Sequence, residues 1–170
     1  VRIERVSGRL SDHYDPRSNV IRLSDAVYGS TSIASLGVAA HEAGHAVQYA
    51  VGYGPIKLRT AIIPVCNIGS QLSIVLIILG LVLYFPALFG VGVILFALAV
   101  VGQIVTLPVE FNASRRAIQS LSGTGLLDDQ ELRGARKVLT AAALTYVAAL
   151  LVSLAQLLRY LLAFGGRRRS

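Results

Sequence analysis

The chain is poor in charged residues and cysteine, and each shortage narrows what it can be. Only 15% of its 170 residues are charged and 54% are hydrophobic, whereas about a quarter of a typical soluble domain is charged. Together with a mean hydropathy of +0.64, this excludes an ordinary soluble domain and predicts a membrane protein. Cys66 is the single cysteine, which excludes an internal disulfide and a cysteine-rich zinc site.

Methionine is absent altogether. We therefore expect that residue 1 is not the start of the nascent chain and that a signal peptide or a further span precedes it. The net charge of +7 is spread near the apolar segments without an aromatic-interleaved basic patch, so we expect no nucleic acid partner. Anionic lipid headgroups are the expected partners of this charge.

Histidine is scarce too, with three in the chain, yet two of them form one pattern with a glutamate: His41, Glu42 and His45. Apolar residues at helical spacing, preceded by capping Ser and Thr, predict a helix here. Residues four apart share a helix face, so His41 and His45 can bind one zinc while Glu42 takes a proton from a bound water. This predicts a zinc metalloprotease. The alternative is a helix whose two histidines share a face by chance.

Long apolar runs define the rest of the chain. Residues 66–84 and 87–107 are almost wholly apolar, and each run can cross the roughly 30 Å of hydrocarbon in a bilayer. The short link between them predicts an antiparallel hairpin, which returns Glu110 to the side of the zinc helix. A third span is predicted at residues 139–158.

A catalytic zinc needs a third protein ligand besides the two histidines. His13 is the only other histidine, and it lies upstream, so a carboxylate must be considered. The hairpin favours Glu110 modestly, with ion pairing of Glu110 to Arg115 or Arg116 as the alternative. The other acidic candidates are Glu4, Asp12, Asp15, Asp25, Asp128, Asp129 and Glu131.

Four separated segments, residues 11–17, 38–48, 107–114 and 141–146, resemble the YugP-type neutral zinc metallopeptidases, a family of bacterial membrane proteases. The resemblance covers nearly the whole chain and implies an additional N-terminal span. The chain is more distantly similar to HtpX-like and prenyl-protein proteases, in which a Glu-x-x-Ala helix supplies the third zinc ligand. Carried onto this sequence, that ligand is Glu110, with Ala113. Those relatives usually have Asp where this chain has Ser114.

The gluzincin-like reading also implies how a substrate binds. Such sites lay the peptide along an edge strand near the zinc helix, and the candidate strand here consists of Val20, Ile21, Arg22, Leu23 and Ser24. An ordinary sheet strand is the alternative. His13, Tyr14 or both are candidates for stabilising the developing oxyanion.

The predicted fold is a mainly α integral membrane protein. It has a small α+β, zincin-like (minimal gluzincin) catalytic part with a short β-hairpin or sheet, plus three transmembrane helices and the N-terminal span expected upstream. The predicted divisions are a catalytic part (1–62), a transmembrane hairpin (63–108), the Glu-ligand helix and loop (109–137), a third transmembrane helix (138–164) and a basic tail (165–170).

The predicted function is therefore a membrane-embedded zinc endopeptidase that uses Glu42 as general base on peptide or membrane-protein substrates, in membrane-protein quality control. A non-proteolytic scaffold stabilised by zinc is the alternative, and a transporter is disfavoured because the spans are plain at their centres. We predict a multi-pass protein of the bacterial cytoplasmic membrane. More basic residues flank the spans on the catalytic side than on the other, which favours a cytoplasmic active site.

Overall fold

The computed structural model describes residues 1–167, so residues 168–170 of the predicted basic tail lie outside the described residues. The structure is mostly helical, with a small sheet near the N-terminus. Its elements are β1 (Arg2–Val6), β2 (His13–Asp15), β3 (Val20–Ser24), α1 (Ile33–Ala50), α2 (Gly54–Val82), α3 (Pro86–Thr124) and α4 (Asp129–Arg167).

The chain forms two compact units. The first, which we call the sheet unit, comprises Val1–Lys57 and Pro108–Thr145. The second, the apolar unit, comprises Leu58–Leu107 and the chain from Tyr146 onward. Both α3 and α4 therefore contribute one end to each unit.

The sheet has the order β1-β3-β2, with β1 parallel and β2 antiparallel to β3. The predicted strand Val20–Ser24 forms, but it is the central strand of the sheet and not the predicted edge strand. Val20, Ile21 and Arg22 of β3 pair with β1 on one side and with β2 on the other, so this part of the strand offers no free edge to a peptide. The error comes from β2, whose three residues are too few to show an alternating pattern.

The motif helix α1 packs against this sheet. Ile21 and Leu23 of β3 form a buried cluster with Ala46 of α1. Ser32 caps the helix by accepting a hydrogen bond from the backbone N–H of Ser35 at 3.1 Å, as its sequence position predicts. The left-handed backbone of Gly52, with φ of +66°, follows the end of the helix.

Among the described residues, three helices are long and apolar enough to cross a membrane: Gly54–Val82, Pro86–Thr124 and the Asp129–Ala163 part of α4. This agrees with the three predicted spans. Within the apolar unit, α2 and α3 approach closely where glycines replace side chains. A Cβ at Gly80 would lie 2.4 Å from the backbone N of Phe89, and one at Gly92 would lie 2.7 Å from Ile77. Small residues allow such contact between apolar helices, where dispersion replaces the hydrophobic effect.

Helices α1 and α3 come equally close in the sheet unit. A Cβ at Gly44 would lie 2.6 Å from the carbonyl oxygen of Ala113 and 3.2 Å from its Cα. Ala113 itself is fully buried. Only glycine at position 44 permits this distance, because the obstacle is backbone that has no rotamer to change.

Replacing Gly44 with Ala is expected to lower the free energy of unfolding by about 1–3 kcal/mol, the usual cost of overpacking. Gly37→Ala is the matched control in the same helix, since its added Cβ would lie 3.9 Å from Leu139 Cγ, an ordinary contact. Thermal unfolding in detergent measures the difference. Equal melting temperatures for the two variants would contradict the close approach of α1 to α3.

Candidate metal centre

The two motif histidines lie one helical turn apart on α1, and both are directed towards α3. Their ring centroids are 4.8 Å apart and the rings meet edge to face. The side chains of His41 and His45 are 17% and 10% exposed. The i, i+4 spacing thus produces the shared face that the sequence predicts.

Glu110 of α3 joins the two histidines. Its Oε2 lies 3.1 Å from Nε2 of His41 and 3.7 Å from Nε2 of His45, and its side chain is 3% exposed. Among the described residues, these three form the one group of His, Cys, Asp or Glu side chains grouped as a possible metal site, with ligand atoms within 4.8 Å of one another.

This donor set fits zinc. With bonds of about 2.0–2.2 Å, a tetrahedral zinc holds its ligand atoms about 3.3–3.5 Å apart, and the two distances to Glu110 lie close to that value. Two imidazoles and one carboxylate are a known zinc ligand combination, and three protein ligands leave one position open. His41, His45 and Glu110 could therefore hold the metal without a large rearrangement.

Polar side chains contact both imidazoles at Nδ1, the ring nitrogen that does not face Glu110. Nδ1 of His45 donates to Oε1 of Gln48 at 2.9 Å. The amide nitrogen of that fully buried Gln48 donates to the carbonyl of Val109 at 2.8 Å and to Asn112 Oδ1 at 3.0 Å. This pattern leaves Nε2 of His45 as the metal-binding nitrogen.

Ser114 has the corresponding place beside His41, with its Oγ 3.1 Å from Nδ1. The Ser114 hydroxyl is thus within hydrogen-bond distance of this histidine. Sequence reasoning did not identify Gln48 or Ser114 as partners of the histidines. The position of Gln48 on the histidine face of α1 was the available signal.

Glu42 is buried but does not belong to the ligand group. Its exposure is 8%, and its carboxylate accepts a hydrogen bond from the backbone N–H of Tyr14 in β2. Burial raises the pKa of Glu42 above its usual value, and the neighbouring His45 and His41 only partly offset this. Burial alone would lower the pKa of His45, but the nearby carboxylates of Glu110 and Glu42 and the hydrogen bond to Gln48 together outweigh burial and raise it.

The structure places His13, a candidate for stabilising the oxyanion, at the start of β2. This histidine is exposed, and its Nδ1 lies 2.8 Å from the backbone oxygen of Ser11. Its neighbour Tyr14 packs towards α1, with its ring 5.6 Å from that of Tyr49. Because successive strand residues point to opposite faces, His13 points away from α1. The Tyr14 hydroxyl donates to Asn19 at 2.8 Å.

Most other acidic candidates for the third ligand have partners elsewhere. Asp12 accepts hydrogen bonds from the backbone N and Oγ of Ser24. Asp25 pairs with Arg5, and both Asp15 and Glu4 contact Arg22. Asp128 and Glu131 cap the start of α4 reciprocally. The geometry therefore favours Glu110.

Replacing His45 or Glu110 with Ala is expected to remove most of the bound zinc from the purified protein, because two ligands hold the metal far more weakly than three. Inductively coupled plasma mass spectrometry after dialysis measures the zinc content. His13→Ala is the matched control and should keep full occupancy. A Glu110→Ala protein with full zinc content would exclude Glu110 as a ligand.

Comparison with known proteins agrees with this chemistry. Residues 1–165 match a protein family described as "Putative neutral zinc metallopeptidase". The chain is also 50% identical over 164 residues to the "Putative membrane protease YugP" of Bacillus subtilis (strain 168), an alignment that covers 96% of this chain and 73% of the relative. No solved structure matches the chain. On the family match and this identity, the chain belongs to the neutral zinc metallopeptidase family.

Proposed function

We propose that this chain is a membrane-embedded zinc endopeptidase that hydrolyses peptide bonds in peptides or membrane proteins, with a role in membrane-protein quality control. One observation carries the proposal: His41, His45 and Glu110 converge beside a buried glutamate, Glu42, that is not among them. The proposed catalytic part consists of residues 1–62 together with 109–137.

Zinc bound to these three residues would supply a Lewis acid that polarises the scissile carbonyl and lowers the pKa of a water molecule. The protein supplies the proton transfers. We assign Glu42 as the general base that takes the proton from water at its carboxylate and later gives it to the leaving amine. The Tyr14 backbone N–H orients this carboxylate, and the low exposure of Glu42 limits competing water.

The number of ligands distinguishes this proposal from the zinc-stabilised scaffold. A structural zinc site is normally closed by four protein ligands, whereas three residues form the group in the described part of the chain. A scaffold also has no use for a buried carboxylate beside the histidines. No observation favours the scaffold specifically.

Replacing Glu42 with Gln is expected to reduce cleavage of casein or of an unfolded membrane protein by about 10²–10⁴-fold, the usual contribution of a general base. Zinc content should not change, because Glu42 is not a ligand. The matched control is Glu4→Gln, the same change at a glutamate whose side chain is 42% exposed, which should keep full activity. Undiminished turnover by the Glu42→Gln protein would rule out the assigned base.

We propose a cytoplasmic active site in the bacterial cytoplasmic membrane. Basic residues concentrate in cytoplasmic loops of membrane proteins, and the segments that flank the spans on the zinc side are rich in them. The link between α2 and α3 has none. Basic residues on the zinc side are Lys57, Arg59, Arg115, Arg116, Arg133, Arg136 and Lys137, against Arg159 and residues 167–169 beyond the third span.

Cysteine labelling tests this orientation. In intact cells, a membrane-impermeant maleimide should not label Ser122→Cys near the end of α3, but should label Tyr84→Cys in the link, where the native side chain is 86% exposed. The buried Cys66 is replaced with Ala in both variants. Labelling of position 122 but not position 84 from outside would reverse the proposed orientation.

A further inference from the structure

A cleft of about 520 Å³ lies between α3 and α4 within the sheet unit. One part of its lining is apolar and is formed by Phe111, Ile118, Leu139 and Ala143, while Arg115 and Arg136 bring two guanidinium groups to it. The cleft does not include His41, His45 or Glu110. Ser114, which contacts His41, also lines the cleft. The cleft therefore adjoins the candidate metal centre but does not contain its three residues.

The charged residues that line this cleft are all positive. Both arginines are exposed, and no acidic residue lines the cleft. Within residues 1–167, neither Arg115 nor Arg136 makes an ion pair, in contrast to Arg5 and Arg22, which pair with Asp25, Asp15 and Glu4 in the N-terminal sheet region. Two guanidinium groups with free donors match the oxygens of a phosphate.

Along both helices, apolar residues and arginines are arranged in the way that an amphiphile arranges its apolar chain and its charged headgroup. On α3, Phe111 lies four residues and Arg115 eight residues beyond the end of the apolar run at Leu107, or about 6 and 12 Å at the helical rise. On α4, Arg136 precedes the predicted start of the third span at Leu139 by three residues, about 4.5 Å. The headgroup layer adds about 5–8 Å to each side of the hydrocarbon, a depth that long arginine side chains reach.

We propose that this cleft binds an anionic phospholipid, with its phosphate between Arg115 and Arg136 and an acyl chain against Phe111, Leu139 and Ala143. Basic pockets between membrane helices at the cytoplasmic surface bind anionic headgroups in this way. A free anion would occupy only the arginine end of the cleft and would leave the apolar lining uncovered. The acyl chain of a phospholipid would cover that lining. The site does not depend on the proposed peptidase activity.

Native mass spectrometry of the full zinc-loaded chain in mixed micelles tests the proposal, with phosphatidylglycerol and phosphatidylcholine as probes. We expect retention of phosphatidylglycerol and little retention of phosphatidylcholine. Replacing both arginines, Arg115→Gln with Arg136→Gln, should weaken phosphatidylglycerol binding about 30-fold, because each basic residue near a lipid surface contributes about 1 kcal/mol.

The matched control is Arg133→Gln with Lys137→Gln, which removes the same charge from α4 at positions outside the cleft. It should change phosphatidylglycerol binding less than threefold, with both double variants showing the unfolding temperature of the parent. Equal weakening in the two double variants would show a general charge effect and overturn the proposal.

Two competitors separate the lipid from other anions. Inorganic phosphate should displace phosphatidylglycerol only at far higher concentration, because it lacks the acyl chain. Displacement at equal concentration would show a simple anion site and overturn the lipid assignment. Displacement by a soluble acidic peptide at equal concentration would identify the cleft as a peptide subsite instead.

Discussion

The contact of α1 with α3 at Gly44 and Ala113 is the constraint on which the candidate metal centre depends. Two of the proposed ligands are on one helix and the third is on the other, so the distance between the helix axes decides whether three ligand atoms can share one ion. Because residue 44 is glycine, the two backbones can lie close enough for Glu110 to reach both histidines. A separation larger by one methyl group would move the carboxylate out of the zinc coordination distance.

Hydrogen bonds fix the rotation of the two helices once they are close. Gln48 connects His45 to the backbone of Val109 and to Asn112, and Ser114 contacts His41. His45 is thus connected to α3 through Gln48, and His41 is connected to α3 directly. Buried polar groups of this kind are costly when unpaired, so they favour a single register between α1 and α3 and hold the imidazoles ready for metal.

Features with a local or periodic signal could be predicted from the sequence. The spacing of His41 and His45 defines one helix face, continuous apolar runs define the spans, and the short link between two spans returns Glu110 to the zinc side. The contacts that depend on long-range packing could not be predicted. From the sequence, Gly44 is only a residue that weakens a helix, because its role depends on the contact with α3. The central position of Val20–Ser24 depends on pairing with β2, whose three residues are too few to show an alternating pattern.

The three proposed zinc ligands come from distant parts of the chain. His41 and Glu110 are 69 residues apart, and the intervening residues include α2 and the apolar part of α3. During synthesis the motif helix therefore emerges with two ligands, and the third arrives only after the whole hairpin has been made and folded back. A chain that fails to complete this hairpin carries an incomplete metal site. The fold thus makes completion of the candidate metal site conditional on correct assembly of the hairpin.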